Sequence, residues 1–522
     1  MSNVAFVNAV GLSPYARRKL PGGDSALERV LRYSRGLPEV KKVVLLSDQR
    51  QEDVRNVQQV VREQWDLAEV LAVMQRESRG CSHVIYYYAD CPLLDPDVTS
   101  RMYADHRRYF ADYTFADGYP YGMAPEILSA ESIGAVQKLA EGVALSRQAL
   151  FEAIQKDINT FDIETELSPA DLRMLRVSLT ADVKRNFILL ERVMNAVSGE
   201  LSRSAGRAGG GARTRSGEAI ERPDRAPAAE AVLEALQKHP EMLRTVPVFF
   251  NVQIVEGCPQ NCTYCPYPQM RGPQTGRIAE MAVRDYRRIV DAIEDFVEDG
   301  VVSVSLWGEP AFHGKIDEIA AGTVENGGLE LLIETSGVGW PPGALEAVAE
   351  RARKPPRWIV SLDAASGEVY ESLRGDGFAE AQRTVEALKN LYPGRTYVQA
   401  VRMHENEEDL EGFFRHWKDS PVQPIIQKYD DFCGKLPDRK VTDLSPVKRF
   451  PCWHIKRDVT VLMDGRVLLC REDVEQKHLL GNILQDELPD IWGRGEDYYL
   501  RHIREDYPGM CAGCDEYYTF NY

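Results

Sequence analysis

Thiols provide the first chemistry legible in this chain. Cys258, Cys262 and Cys265 stand in the run Cys-Pro-Gln-Asn-Cys-Thr-Tyr-Cys, a CxxxCxxC spacing with Tyr264 just before the last thiol. Three thiolates this close can hold three irons of a [4Fe–4S] cube and leave the fourth iron open to a small molecule. Zinc is the alternative, but a structural zinc site takes four ligands, and no nearby Cys or His in the sequence supplies the fourth. Four further cysteines follow: Cys452, Cys470, and the CxxC pair Cys511 and Cys514. They suffice for one more cube or for a four-cysteine zinc site. Cys433, in Asp-Phe-Cys-Gly, is left as a core thiol, a substrate-facing residue or an alternative ligand.

Regular elements must position these residues. An extended apolar stretch, 248–255, runs into the first cysteine, so the motif opens where a strand ends. Strands are expected at 248–254, 301–306, 329–334, 357–362, 396–402 and 422–427. Amphipathic helices at 283–297 and 378–391 fall between them, and Asn406 is a plausible N-cap for a helix through Trp417. Six such βα units fit a partial (β/α)6 barrel of the TIM type, with ligands at the C-terminal ends of its strands. Beyond about Cys433 the pattern breaks into short strands and loops, a small α+β extension. There Asp464-Gly465 signals a tight hairpin that would return Cys470 toward Cys452.

Ahead of the barrel, strands at 4–10, 43–46 and 84–88 alternate with helices at 25–34 and 53–64, a second α/β sheet. The segment 199–229 is rich in Gly, Ala, Ser and Arg and has little to bury, so it reads as a flexible linker. A basic stretch in an acidic protein could instead grip an acidic surface. The expected domains are therefore 1–198, a linker over 199–229, a barrel over 230–430 and an auxiliary domain over 431–522.

Composition excludes several classes. A net charge of −17 argues against broad nucleic-acid binding. No run of 18 apolar residues predicts a membrane span. Eight of the ten cysteines lie after residue 257, which is metal-site usage in a reducing compartment and points to the cytoplasm.

The three-cysteine run and the passages after the next strands resemble the radical S-adenosylmethionine (SAM) enzymes. Trp307-Gly308-Glu309-Pro310 is similar to that family's GGEP segment, with Trp307 in place of the first glycine. Glu334-Thr335-Ser336-Gly337 is similar to its polar-Thr-Asn-Gly segment, and Ser361-Leu362-Asp363 with Arg374-Gly375 to its SxD…RG pair. The resemblance implies that the open iron on Cys258, Cys262 and Cys265 chelates the methionine part of SAM. Cleavage then yields a 5′-deoxyadenosyl radical that takes a hydrogen atom from substrate. It implies that Gly308, Glu309 and Pro310 receive the SAM ammonium and that Glu334 lies near the ribose. Ser361 and Arg374 would hold the carboxylate, Asp363 would contact ribose or substrate, and Tyr264 would lie against adenine or the cluster. An Arg fork does suit a carboxylate, and a carboxylate suits an ammonium.

Cys452, Cys470, Cys511 and Cys514, in this order, resemble the SPASM or shorter twitch extension of that family. This implies one auxiliary [4Fe–4S] cluster that takes the substrate electron. The first domain resembles the sugar cytidylyltransferases and the spore-coat polysaccharide protein F family, and implies a nucleotidyltransferase-like, GT-A type fold. Arg18-Lys-Leu-Pro-Gly-Gly23, Ala89-Asp90-Cys-Pro-Leu-Leu-Asp95-Pro and Tyr119-Pro-Tyr-Gly-Met-Ala-Pro-Glu126 carry the likeness. Gly23 stands where that family has a phosphate-binding lysine, and Thr180 where it has a second metal carboxylate, although Asp182 could substitute. A pocket that binds but does not transfer is expected, and a purely structural domain is the alternative. The whole arrangement resembles the spiro-SPASM proteins.

The expected function is thus a radical SAM oxidoreductase acting on a sugar, a glycoconjugate or a peptide. Its partner would be an electron donor such as ferredoxin or flavodoxin. The competing readings are a cytidylyltransferase-type enzyme with a regulatory iron–sulfur half, and a non-catalytic iron–sulfur scaffold or electron carrier.

Overall fold

A computed structural model describes residues 2–207, 227–271 and 278–519, apart from Pro38, Asn56 and Asn326. They form two compact units, Met1–Leu243 and Arg244–Tyr522.

In the first unit, seven strands form one sheet: β1 (Asn3–Ala9), β2 (Val40–Ser47), β3 (Gln58–Val61), β4 (His83–Tyr88), β5 (Tyr113–Asp117), β6 (Glu126–Ser129) and β7 (Ile163–Leu167). Their order is β3-β2-β1-β4-β6-β5-β7. β1 is buried along its whole length and pairs in parallel with β2 and β4. A strand covered on both faces is a near-continuous apolar run, which is why it was readable. The helix expected at 53–64 is not formed. Gln58–Val61 is instead an edge strand parallel to β2. Its adjacent valines suit a pleated surface, and pairing with β2 overrides an apolar spacing that also fits a helix.

Two helices lie at the edges of the expected linker. The helix Lys184–Arg207 continues past residue 199, while 208–226 of the expected linker lie outside the described residues. The helix Ala229–Lys238, expected to open the barrel, packs instead in the core of the first unit. Val232, Leu233 and Leu236 share that core with Leu190, Val193 and Val197. Asp95 Oδ2 accepts from the Ala229 N–H at 2.7 Å. An apolar stripe at helical spacing says that a helix is buried, not which core it covers.

The second unit holds β8 (Phe249–Val252), β9 (Val255–Glu256), β10 (Ala279–Glu280), β11 (Gly300–Ser303), β12 (Leu329–Thr335), β13 (Arg357–Ser361), β14 (Thr396–Arg402), β15 (Gln423–Lys428), β16 (Asp458–Val461), β17 (Arg466–Leu468) and β18 (Leu479–Asn482). β8 and β11 to β15 lie side by side in chain order, each parallel to the next. The chain is thus mixed α/β with parallel sheets. The expected boundary at 430/431 does not separate compact units, because β16 pairs in parallel with β8 and extends the same sheet. β16 and β17 form the expected hairpin around Asp464-Gly465, with Gly465 at φ +84°. The short β9–β10 pair ties the ends of the segment that carries the three cysteines. Among the described residues no helix is long and apolar enough to cross a membrane.

Candidate active site

The residues singled out from the sequence gather beyond the C-terminal ends of the parallel strands, where ligands bind in such sheets. The loop after β8 and β9 carries Cys258, Cys262 and Cys265, all half-buried. It lies along the end of the helix Gly367–Arg374. Thr263 N–H donates to the Leu373 carbonyl at 2.8 Å, and Asn261 N–H to the Arg374 carbonyl at 3.3 Å. Gln260 Nε2 donates to the Asp376 carbonyl at 2.7 Å. Burial, with the nearby Glu309 carboxylate, pushes the Cys258 thiol up to about 12, and Cys262 and Cys265 add to the shift. The three thiols therefore share one electrostatic environment. Iron would supply the positive charge that makes them thiolates, so the set fits a cube.

Beyond β11, Trp307 takes φ +43° and is nearly buried. Its ring packs with Tyr267, Leu306 and Leu468, and Cys258 and Cys265 lie against the same cluster. Where the resembling family has a glycine, this chain has a wall behind the cysteines. Gly308 is required: at φ +147°, an added Cβ would stand 2.3 Å from the Val255 carbonyl oxygen. Glu309 N–H donates to the Gly257 carbonyl at 2.6 Å, which clamps this turn to the cysteine loop. The Glu309 carboxylate is buried and engaged within the chain. Oε1 accepts from Thr335 Oγ1 at 2.5 Å and Oε2 from Ser336 N–H at 2.7 Å. Burial pushes this carboxyl up, and those donors oppose the shift. Pro310 opens the short 3-10 turn that follows.

Asp363, expected at the ribose or substrate, is fully buried at φ +62°. Its Oδ1 accepts from Val401 N–H at 2.7 Å. Its Oδ2 accepts from Arg374 Nη1 at 2.5 Å and from the Tyr264 hydroxyl. Arg374 also donates to the Tyr264 hydroxyl, and its Nε is buried with no partner. Asp363 is thus a positioning residue for Arg374 and Tyr264. Its own backbone is held by Asn406, whose Nδ2 donates to the Asp363 carbonyl at 2.8 Å. Asn406 precedes the helix Glu407–Trp417 as expected, but its side chain makes no cap bond to that helix. Ser361 ends β13 and is half-buried. Replacing Asp363 by Asn should leave the Arg374 charge buried and poorly paired, lowering stability by about 3–5 kcal/mol. A denaturant midpoint that barely moves at constant slope would sink this account of the pair.

The second set of thiols comes together from four separate places. Cys452 stands just before the helix Trp453–Arg457, Cys470 follows β17, and Cys511 and Cys514 flank the end of the short helix Gly509–Ala512. All four line one cavity, and Cys433 lines it too. Cys433 reaches it through a turn in which Phe432, Cys433 and Gly434 take φ of +50°, +58° and +80°. Side-chain oxygens hold that turn: Asp430 accepts from Phe432 N–H at 2.8 Å and Asp431 from Gly434 N–H at 2.9 Å. Glu516 N–H points at Cys514 Sγ, 3.4 Å away. The thiols surround a space rather than meet at a point. Among the described residues, no group of three or more His, Cys, Asp or Glu is placed to hold a single ion.

Around Arg471 lies a buried polar network that the sequence reading missed, and two of its members, Glu472 and Glu516, line the second cavity. Arg471 feels the charges of Glu472, Asp430, Glu516 and Glu334. Burial pushes the Glu472 carboxyl up to about 7, and burial with the Glu472 charge drives Asp430 well above the usual range. Glu334, expected near the ribose, is also pushed up by burial, with Arg471 opposing. The run Arg471-Glu472-Asp473 directly after an apolar strand was the only available signal, and it looks like an ordinary solvated turn.

The Radical SAM superfamily model matches residues 252–416, and the SPASM iron–sulfur cluster-binding domain matches residues 452–515. The chain therefore carries a radical SAM domain, with its [4Fe–4S] cluster and SAM, and an auxiliary iron–sulfur domain. It belongs to the same family as an uncharacterized protein of Treponema pallidum (strain Nichols), which is 35% identical over 388 residues, 72% of this chain and 98% of that protein. The ribosomal protein uS12 methylthiotransferase RimO of Sorangium cellulosum is 27% identical over 180 residues, 31% of this chain and 35% of the relative. The S-adenosyl-L-methionine-dependent 2-deoxy-scyllo-inosamine dehydrogenase of Niallia circulans is 21% identical over 274 residues, 51% of this chain and 91% of the relative. Among solved structures, Streptococcus suis SuiB bound to precursor peptide SuiA aligns with a TM-score of 0.42 and 14% identity, over 62% of this chain and 83% of that one.

Proposed function

We propose that this protein is a radical SAM oxidoreductase that removes a hydrogen atom from a sugar, glycoconjugate or peptide substrate and passes the remaining electron to an auxiliary [4Fe–4S] cluster. When bound, the first cluster and SAM supply one-electron cleavage of the sulfonium, and hence the oxidant that takes the hydrogen atom. The observation that supports the reading is the presence, in one compact unit, of two thiol sets, the second lined by members of a buried charged network. On this reading Cys258, Cys262 and Cys265 hold the SAM cluster. Cys452, Cys470, Cys511 and Cys514 hold the auxiliary one. Arg374, steadied by Asp363 and Tyr264, would turn toward the SAM carboxylate, and its unpartnered Nε is the group to do so. In all the substrate loses one hydrogen atom, one electron and one proton, and Glu334 at the end of β12 is the carboxyl proposed to take the proton. A low-potential donor of the ferredoxin or flavodoxin kind would reduce the first cluster, in the cytoplasm.

The same reading takes β8 with β11 to β15 as the partial barrel of the radical SAM enzymes, and the whole chain as a spiro-SPASM protein. It takes the first unit as a nucleotidyltransferase-like fold kept for binding. Gly23, at φ +88° in a turn closed by its N–H on the Leu20 carbonyl, stands where a phosphate-binding lysine is expected. A lysine could not enter this turn without strain.

The test is anaerobic reconstitution with iron and sulfide, followed by reduction in the presence of SAM. The expected result is about eight irons per chain and accumulation of 5′-deoxyadenosine. Iron near zero with stoichiometric zinc would sink the reading. A methylthiolated product would move the chain toward its RimO relative.

A further inference from the structure

Arg147 lies in the first unit, far in sequence from the thiol sites. Its guanidinium bridges two acidic side chains: Nη1 donates to Asp90 Oδ1 at 3.1 Å, and Nη2 donates to Asp90 Oδ2 at 2.5 Å and to Asp182 Oδ2 at 3.2 Å. The backbone brings these carboxylates together, because Ala181 N–H donates to the Asp90 carbonyl at 2.8 Å. The remaining oxygen of Asp182 is occupied: Oδ1 accepts from Thr180 Oγ1 at 2.7 Å, Asn186 Nδ2 at 2.8 Å and Val183 N–H at 2.9 Å. Burial works against the Arg147 charge, and the bond and charge of Asp90 more than offset it, so the group stays a cation. On its other side the guanidinium lies 4.9 Å from the centre of the Tyr88 ring and 5.2 Å from that of Tyr121. Those rings, with Tyr86, Tyr113 and Phe151, line a cavity of about 380 Å³ into which Arg147 also faces.

Asp90 and Asp182 are the two carboxylates that the likeness to the transferases offers for metal-dependent chemistry here. A divalent cation needs several oxygen ligands with free lone pairs. The oxygens that face one another across this gap are already bonded to one guanidinium, so a resident Mg²⁺ does not fit. We propose that Arg147 takes the place of a divalent cation between Asp90 and Asp182. The first unit is then a metal-independent binding pocket lined by tyrosine rings, with the Arg147 charge already matched by its two carboxylates. It does not perform metal-assisted nucleotidyl transfer. A guanidinium held by two carboxylates cannot leave or exchange as a hydrated ion does, and it cannot bridge the phosphates of a nucleoside triphosphate to the protein.

The experiment is a titration of the full-length protein with Mn²⁺, following the electron paramagnetic resonance signal of the free ion, with Asp182→Asn as the reference for other acidic sites. Wild type should take up no more Mn²⁺ than Asp182→Asn. Arg147→Gln should gain one equivalent per chain, and adding Asp182→Asn to it should remove that equivalent. Wild type that binds one equivalent lost in Asp182→Asn would overturn the proposal without use of any Arg147 variant. A folded Arg147→Gln protein, checked by circular dichroism, that gains no Mn²⁺ would overturn it as well. A third readout keeps the two halves of the molecule apart: 5′-deoxyadenosine formation should be unchanged in Arg147→Gln, since the radical SAM reading does not depend on this site. Pyrophosphate release from CTP by wild type in Mg²⁺ would also overturn it.

Discussion

Changing Cys258, Cys262 and Cys265 together to Ala should lower the iron content from about eight to about four per chain and abolish reductive cleavage of SAM. The loop that carries these thiols is held at both edges, by Glu309 on Gly257 and by Thr263 and Asn261 on the helix Gly367–Arg374. The backbone should therefore survive the loss of its sulfurs. On the proposed reading these three cysteines would hold the cluster that binds SAM, so their loss would leave SAM without it. Iron and sulfide analysis with chromatographic assay of 5′-deoxyadenosine checks both halves of the expectation. Residual cleavage at the wild-type rate would mean that SAM is bound elsewhere.

Replacing Cys511 and Cys514 together by Ala should remove the other four irons, again about four, yet leave uncoupled SAM cleavage within about two- to threefold of wild type. The two sites share no ligand, and changes at sites without shared partners act nearly independently. Substrate oxidation should stop, because the second electron has no acceptor. Both cysteines must be changed, since Cys433 stands beside Cys514 in the same cavity and leaves a thiol within reach of the open position. Lys428 pairs with Asp515 and Glu516, and Arg449 Nη2 donates to the Cys511 carbonyl at 2.5 Å, so this segment has anchors besides the metal. A double variant that keeps all of its iron would assign the auxiliary cube to other ligands.

What could be read from the sequence was whatever depends on near neighbours. The CxxxCxxC spacing needs only a single loop, and Gly308-Glu309 only a single turn, so both are visible as short strings. The buried strands β1, β8 and β12 are apolar runs for the same local reason, as coverage on two faces demands a nearly continuous apolar segment. Hairpin chemistry at Asp464-Gly465 is also local, and it correctly turned β17 back along β16.

The rest depended on partners that only folding brings close in space. Pairing with β2, not local propensity, made Gln58–Val61 a strand. The stripe on Ala229–Lys238 fits two cores equally, and contact with Val193 and Val197 decided between them. Asp363 is visible as part of an SxD string, but its partners Arg374 and Tyr264 follow only from the closure of β13 against β14 that buries it. Cys433 enters the auxiliary site only because three successive residues of its turn adopt positive φ. Arg147 carries no motif at all. Its meaning exists only where Asp90 and Asp182 close on it from either side, because an ion pair is set by distance in space and not by spacing along the chain.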